Sequence, residues 1–129
     1  MAMTQEEVFN KVKEVLTAAL AVDDDEVTRE AKLREDLGAE SIDFLDISFQ
    51  LEKTFGIKIP KGDLMPENVF SNPEFVQNGK LTPKGLAEMK SRMTFADFTE
   101  FEKDPDINKI WDLFTVDALV RYVMTKVNV

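Results

Sequence analysis

Apolar residues near the start of the chain recur at three- and four-residue spacing, which predicts an amphipathic α-helix. The stripe consists of Val8, Val12, Val15, Leu16 and Ala19. Thr4 and Glu7 precede it in the pattern of a capping box, in which each side chain accepts a hydrogen bond from the backbone N–H of the other residue. We therefore expect the first helix to begin after Thr4 and to end near residues 20–22.

A second helix is predicted between Ser41 and Phe55, where the chain contains neither glycine nor proline. Gly56 stands where a left-handed C-terminal cap belongs, and Pro60 prevents a continuation. This helix carries two apolar rows: Phe44, Ile47, Leu51 and Phe55 form one, and Ile42, Leu45 and Phe49 form the other. A helix that is apolar on two sides either packs against several helices or leaves one row for a partner.

The remainder of the chain predicts further helices joined by long connections. Residues 27–40 have the composition of a loop anchored by a few apolar side chains, namely Val27, Leu33 and Leu37. Within the proline-rich middle, Asn78-Gly79 signals a turn, and Thr82-Pro83 signals a helix start. A short helix through Ile110 and a final helix capped by Thr115 follow. The predicted fold is all-α, a bundle of about four helices with an elaborated connection and no clear strand pattern.

Composition excludes much chemistry. The 129 residues carry a net charge of −9 and contain no cysteine and no histidine. Disulfides, thiolate or histidine zinc sites and Ser-His or Cys-His nucleophilic machinery are therefore excluded. An acidic N-terminal half disfavours nucleic acid and anionic membranes as partners and suits basic protein surfaces. Solubility alone would also account for this acidity. The chain shows neither a signal peptide at its N-terminus nor an apolar run of transmembrane length, so a cytoplasmic location is expected.

Three stretches together resemble acyl carrier proteins of fatty-acid and polyketide type. They are residues 22–47, which include Asp36-Leu-Gly-Ala-Glu-Ser41, residues 49–60, and residues 114–123. The resemblance covers about residues 4–60 and 105–127, and residues 61–104 have the character of an insertion. It implies a single carrier domain over residues 1–129, an acyl-carrier-like four-helix bundle with an additional helical insertion before the C-terminal helices.

The resemblance identifies Ser41 as the attachment point of covalent 4′-phosphopantetheine, whose thiol would hold an acyl group as a thioester. The family usually has Asp before this serine and Leu after it, whereas this chain has Glu40 and Ile42. The substitutions preserve charge and apolar character, so modification is expected to survive them. They leave open which phosphopantetheinyl transferase recognises the chain. The Glu-Ser pair also departs from the Gly-Gly-x-Ser pattern of peptidyl carriers, which favours an acyl cargo.

The resemblance further implies a docking face formed by the residues around and after the serine. The corresponding positions are Glu40, Ile42, Asp43, Leu45, Asp46, Phe49 and Glu52. Expected partners are a phosphopantetheinyl transferase and enzymes of acyl-chain synthesis or transfer with basic docking faces. No nucleic acid, membrane insertion, metal site or catalytic residue is expected, and the chain is expected to be a monomer that is not an enzyme.

Three questions stay open at this point. The chain could be an unmodified helical interaction domain that has kept the carrier fold, in which Ser41 is merely a helix cap. It could be an enzyme that uses paired carboxylates, although nothing in the sequence places two of them in a cleft. Finally, five apolar residues are compatible with either an acyl cavity or an ordinary core, namely Phe44, Ile47, Leu51, Leu119 and Val123.

Overall fold

The computed structural model describes residues 3–60 and 71–127, with the exception of the Ser41 side chain. Within these ranges the α-helices are α1 (Gln5–Leu20), α2 (Ser41–Phe55), α3 (Pro83–Arg92) and α4 (Val116–Val127). Short 3₁₀ helices span Asp24–Glu26, Phe101–Lys103 and Ile107–Leu113. The predicted all-α fold class is confirmed. The first residues of the predicted insertion, 61–70, lie outside the described residues.

Helix α1 begins and ends as its sequence predicts. The Glu7 N–H donates to Thr4 Oγ1 at 3.1 Å, and the Thr4 N–H donates to Glu7 Oε1 at 3.3 Å. This reciprocal pair is the predicted capping box, and it satisfies donors that the helix itself cannot satisfy. The helix ends at Ala21, whose φ of 54° is left-handed. Four residues of its apolar stripe are buried, Ala19 is half-buried, and the helix packs against α2 and α4.

The long loop after α1 is attached to the C-terminal part of the chain by backbone hydrogen bonds. The Leu33 N–H donates to the Phe114 carbonyl at 2.9 Å, and the Val116 N–H donates to the Ala31 carbonyl at 2.9 Å. The predicted anchors Val27, Leu33 and Leu37 are all buried. These contacts hold the loop against the start of α4, so the chain enters α2 from a fixed position.

The connecting segment, residues 71–106, contains a small hairpin that the sequence analysis did not expect. Strands β1 (Val76–Gln77) and β2 (Lys80–Leu81) pair antiparallel across Asn78 and Gly79. Both turn residues have positive φ, as a two-residue hairpin loop requires, so the predicted turn is confirmed. The Leu81 N–H donates to the Pro105 carbonyl at 2.8 Å, and the Ile107 N–H donates to the Gly79 carbonyl at 3.0 Å. The hairpin is thereby bonded to the start of the 3₁₀ helix Ile107–Leu113.

Helix α3 starts where Thr82 and Pro83 predict, with the Gly85 N–H donating to Thr82 Oγ1 at 3.1 Å. The connecting segment then contributes large apolar side chains to the core of the molecule, namely Met89, Met93, Phe95, Phe98 and Phe101. The Phe95 ring packs edge-on against Tyr122 of α4, with ring centroids 5.1 Å apart. The segment is therefore packed onto the helical body through one continuous core.

Candidate functional site

Helix α2 positions the serine that the resemblance singles out. Glu40 has the extended backbone of an N-cap residue, and Ser41 is the first residue of the helix. The Glu40 N–H donates to Asp43 Oδ2 at 2.8 Å, so the helix start is closed by Asp43 from within its first turn. Ser41 therefore does not occupy the capping position, in contrast to the interpretation of this serine as a plain helix cap.

The surroundings of Ser41 fit a bulky covalent group at that position. Glu40 on one side is exposed, and Ile42 on the other is 73% exposed. The first N–H groups of a helix lack an intrahelical carbonyl partner, and they lie at the positive end of the helix dipole. Here the Asp43 N–H already donates to the Glu40 carbonyl at 2.9 Å, so the N–H groups that remain precede Asp43. A phosphodiester linked to this residue would meet these donors in a solvent-facing environment. Solvent would also screen the repulsion from the neighbouring carboxylates of Glu40 and Asp43.

One apolar row of α2 remains uncovered. We call Ile42, Leu45 and Phe49 the outer strip; they are 73%, 75% and 55% exposed. In the inner row Phe44, Ile47 and Leu51 are at most 2% exposed, and Phe55 at the end of the row is half-buried. Burial of both rows was one of the two sequence-based possibilities for this helix. The structure buries one row and leaves a contiguous apolar surface that starts beside Ser41.

The four acids predicted to dock partners differ in their surroundings. Glu40 and Asp46 are exposed, and Asp46 Oδ2 accepts a hydrogen bond from the side chain of Gln50 within α2, at 3.0 Å. Asp43 accepts from the helix start, as described above. Glu52 Oε2 accepts from the Ile59 N–H at 2.8 Å and is half-buried. Asp43 and Glu52 are thus bonded to the backbone of the chain itself, and Glu40 forms the other half of the capping box with Asp43. The exposed acids of this surface are Glu40 and Asp46.

A cation that the sequence analysis missed lies at the far end of the outer strip. The Lys53 Nζ lies 4.8 Å from the centroid of the Phe49 ring. Phe49 and Lys53 are four residues apart on one helix, which is the spacing at which side chains meet. That spacing was the available signal. The predicted docking face therefore runs from acidic near Ser41, through apolar, to basic near Lys53.

A surface cleft lies beside the N-terminal half of α2. It has a volume of about 380 Å³ and is lined by Arg34, Glu35, Ile107, Asn108, Trp111 and Asp112. The Arg34 guanidinium lies over the Trp111 ring, with its Cζ 4.9 Å from the ring centroid. Sequence reasoning missed this cleft because its two walls lie more than 70 residues apart in the chain and meet only in the folded structure.

The possible acyl-cavity residues form part of the packed core. Phe44, Ile47, Leu51, Leu119 and Val123 are each at most 2% exposed. Phe44 packs against Trp111 and Phe114, with ring centroids 5.2 Å away in each case. Packing of this kind accounts for these residues without a ligand. Their role in lining an acyl cavity stays a prediction.

Residues 3–60 and 71–127 contain no group of three or more Asp or Glu side chains arranged to hold a metal ion. Among the helices of these ranges, none is both long and apolar enough to cross a bilayer.

The sequence of the chain matches a protein family and several known proteins. A family model described as "Phosphopantetheine attachment site" matches residues 10–69, a range that contains Ser41. An acyl carrier protein of Thermotoga maritima is 46% identical over 61 residues, which are 47% of this chain and 75% of that protein. One from Lactobacillus johnsonii is 41% identical over 61 residues, 47% of this chain and 76% of that protein.

A longer relative matches over a smaller share of its length. The "Acyl carrier protein AcpXL" of Brucella melitensis is 46% identical over 52 residues, which are 40% of this chain and 56% of that protein. No solved structure matches the chain. A matched attachment-site region, the relatives' identity over three quarters of their own length and the helical fold agree: the chain belongs to the acyl carrier protein family, whose cofactor is covalent 4′-phosphopantetheine.

Proposed function

We propose that Ser41 carries the 4′-phosphopantetheine of this chain and that the chain delivers an acyl intermediate, held as a thioester, to partner enzymes. The observation that carries the proposal is the position of Ser41. It is the first residue of α2, it lies inside the matched attachment-site region, and the outer strip begins directly after it. The reactions served would be those of fatty-acid, lipid or polyketide-type synthesis, in the cytoplasm.

The attachment is a group transfer from coenzyme A catalysed by a transferase. The Ser41 hydroxyl loses its proton and forms a P–O bond to the phosphorus that bears the pantetheine. The pyrophosphate P–O bond breaks, and adenosine 3′,5′-bisphosphate leaves. Once attached, the group supplies the thiol that a chain without cysteine lacks. This chain would act as a carrier and not as a catalyst.

The outer strip and its flanking charges would form the docking face for partners. Glu40 and Asp46 supply exposed negative charge for basic partner surfaces, and Ile42, Leu45 and Phe49 supply apolar area. A carrier has to leave each enzyme after one step, which suits weak, electrostatically steered binding. Asp43 and Glu52 would add charge but also hold the fold, since both bond to backbone N–H groups.

The arrangement of the chain supports one domain with an insertion. We propose that residues 4–60 and 105–127 form the carrier core and that residues 61–104 are the insertion. The matched regions of the two shorter relatives cover about half of this chain. The described part of the insertion adds its phenylalanines to the same core as the helices.

Intact mass spectrometry tests the attachment. The purified chain is incubated with coenzyme A and a broad-specificity phosphopantetheinyl transferase, alongside Ser41→Ala and Ser48→Ala. Ser48 is a matched control because it lies on the same helix, with its hydroxyl bonded to the Phe44 carbonyl at 2.8 Å. We expect a gain of one phosphopantetheine in the wild type and in Ser48→Ala, and none in Ser41→Ala. A gain in Ser41→Ala would move the attachment to another residue.

An unmodified interaction domain is the second candidate function, because the exposed outer strip could bind partners without any cofactor. The same experiment separates the two candidates. If several transferases leave the wild-type mass unchanged, the unmodified interaction domain becomes the better function.

Charge reversal tests the docking face. We expect Asp46→Lys to weaken binding to the transferase, measured as a higher KM for the carrier, with unchanged helical circular dichroism. Asp25→Lys, in the exposed 3₁₀ turn Asp24–Glu26, is the control of equal charge change. An equal rise in KM for the two variants would show that net charge, and not the face of α2, determines recognition. An unchanged KM for Asp46→Lys would contradict a docking role for Asp46.

A further inference from the structure

The cleft beside α2 has a lining that matches a molecule of mixed polarity. Ile107 and Trp111 give it apolar surface, and Asn108 and Arg34 give it hydrogen-bonding groups. Both acids of the lining lie near one lysine: Glu35 Oε2 is 3.4 Å and Asp112 Oδ2 is 3.8 Å from Lys32 Nζ. Lys32 thereby partly balances the charge of the two acids. Arg34 is the basic residue that lines the cleft itself.

Arg34 is held in place without being neutralised. Its guanidinium lies over the Trp111 ring, and in the part of the chain that the structure describes no carboxylate lies within ion-pair distance of it. A planar guanidinium stacked on an aromatic ring still presents its N–H donors around its edge. The cleft therefore combines an aromatic floor with donors suited to carbonyl or phosphate oxygens.

The start of α2 lies within short reach of this cleft. Phe44 follows Ser41 by three residues of helix, about 4.5 Å along the helix axis. The Phe44 ring contacts the Trp111 ring, with 5.2 Å between their centroids. The path from Ser41 to the cleft therefore covers about one turn of α2 and the contacting rings of Phe44 and Trp111.

We propose that the pantetheine arm folds back from Ser41 into the cleft formed by Arg34, Asn108 and Trp111. This inference rests on the proposed function and assigns a resting site for the arm on the surface, outside the packed core. The amide carbonyls of the arm accept hydrogen bonds from Arg34 and Asn108, and its geminal methyl groups lie on Trp111 and Ile107. Pantetheine combines amide groups with apolar carbons, so it suits this lining of mixed polarity better than an unbroken alkyl chain does.

The hydrogen-bonded hairpin fixes one wall of this cleft. Ile107 belongs to that wall, and its N–H donates to the carbonyl of Gly79 in the hairpin turn, at 3.0 Å. The Asn108 N–H donates to Asp106 Oδ1 at 2.9 Å, which caps the 3₁₀ helix that carries Trp111. These hydrogen bonds from the connecting segment thereby fix the positions of the lining residues Ile107 and Asn108.

The single tryptophan of the chain makes the proposal directly measurable. Acrylamide quenching of Trp111 is compared between the unmodified chain and the phosphopantetheinylated chain, with modification verified by mass. A tethered arm has an effective concentration in the millimolar range, so an intrinsic Kd of about 1 mM would keep the cleft occupied about half the time. We expect the quenching constant to fall by up to about two-fold on modification.

Two variants identify the contacts. In Arg34→Ala the difference in quenching between modified and unmodified protein is expected to shrink, whereas Arg92→Ala is expected to retain it. Arg92 is the matched control because it is paired with Glu88 on the surface of α3. Nuclear Overhauser effects between the geminal methyl protons of the arm and the Trp111 indole are expected in the modified wild type.

The outcomes distinguish a failure of this inference from a failure of the proposed carrier function. Full modification with unchanged quenching, or with nuclear Overhauser effects to Leu45 or Phe49 instead of Trp111, would overturn the cleft as the resting site and leave the carrier function intact. Absence of any mass gain would overturn both. An equal loss of the quenching difference in Arg34→Ala and Arg92→Ala would also count against the proposed contacts.

Discussion

Helices α2 and α4 are both apolar on more than one side, but they differ in how much of that apolar surface is buried. In α4, residues on several sides are buried, namely Val116, Ala118, Leu119, Val120, Tyr122 and Val123. In α2 only the inner row is buried, and the outer strip of Ile42, Leu45 and Phe49 is exposed. Helix α2 contains seven apolar residues and α4 contains eight, so the number of apolar residues alone does not separate a covered helix from an open one.

The difference lies in what packs on each helix. Helix α1 covers one side of α4, and Phe95 of the connecting segment covers Tyr122 on another. On α2 the corresponding outer surface starts beside Ser41 and ends at Lys53. Apolar area left open at a modification site and flanked by charge is typical of a surface used in association. The comparison therefore supports the outer strip of α2, and not α4, as the surface that binds partners.

The largest expected effect contrasts the two rows of α2. Phe44→Ala removes a buried ring that contacts Trp111 and Phe114, and we expect a loss of about 3–5 kcal/mol in the free energy of unfolding. Leu45→Ala, at the next position but 75% exposed, is expected to change it by less than about 0.5 kcal/mol. Urea denaturation followed by circular dichroism measures both. Comparable losses would mean that the outer strip is packed in solution.

The next effect tests how tightly the connecting segment packs. A Cβ added at Gly85 would clash with the Phe75 carbonyl oxygen, which belongs to the backbone and cannot rotate away. We expect Gly85→Ala to destabilise the protein by about 1–3 kcal/mol. Ser91→Ala on the exposed side of α3 is the control. An unchanged midpoint of urea denaturation for Gly85→Ala would show that the backbone separates there at little cost.

A smaller effect concerns the start of α4. The Ala118 N–H donates to Thr115 Oγ1 at 3.1 Å, so Thr115 caps this helix as the sequence predicts. Thr115→Ala is expected to cost about 1 kcal/mol of unfolding free energy. Thr125→Ala, whose hydroxyl bonds to the Tyr122 carbonyl inside the helix, is expected to cost less. Equal costs for the two threonines in thermal denaturation would contradict a specific capping role.

The smallest effect is a pH dependence of the hairpin attachment. Hydrogen bonds from Lys109 and then Lys80, together with their charges, lower the pKa of Asp104 below its ordinary value of 3.8. Because the folded pKa is depressed, this contribution to stability is present above pH 3.8 and is lost as the pH falls through the folded pKa. The group is exposed, so solvent screening keeps the effect small.

Amide hydrogen exchange measures that pH dependence. Protection factors of Leu81 and Ile107, which bond the hairpin to residues 105–107, are expected to fall on acidification below pH 3.8. Asp104→Asn should remove part of this dependence while leaving α1 unaffected. If the variant and the wild type lose protection in parallel, other carboxylates of this acidic chain account for the change.

Local signals in the sequence predicted much of the fold because they act over one turn. The capping box of Thr4 and Glu7, the left-handed Gly56, and the Thr82-Pro83 start each depend on neighbours within four residues. The strands β1 and β2 escaped prediction because two residues are too few to show an alternation. Their pairing depends instead on hydrogen bonds to residues 105–107, far along the chain.

By itself the sequence determined the helices, the turn at Asn78-Gly79, the family and the position of the serine, because periodicity, caps and a contiguous motif are local properties of the chain. Only the tertiary structure decided which apolar row of α2 stays open, that Asp43 and Glu52 serve the backbone, and that Arg34 meets Trp111. Burial and contact between residues distant in sequence depend on which other segments pack nearby, and no local pattern contains that information.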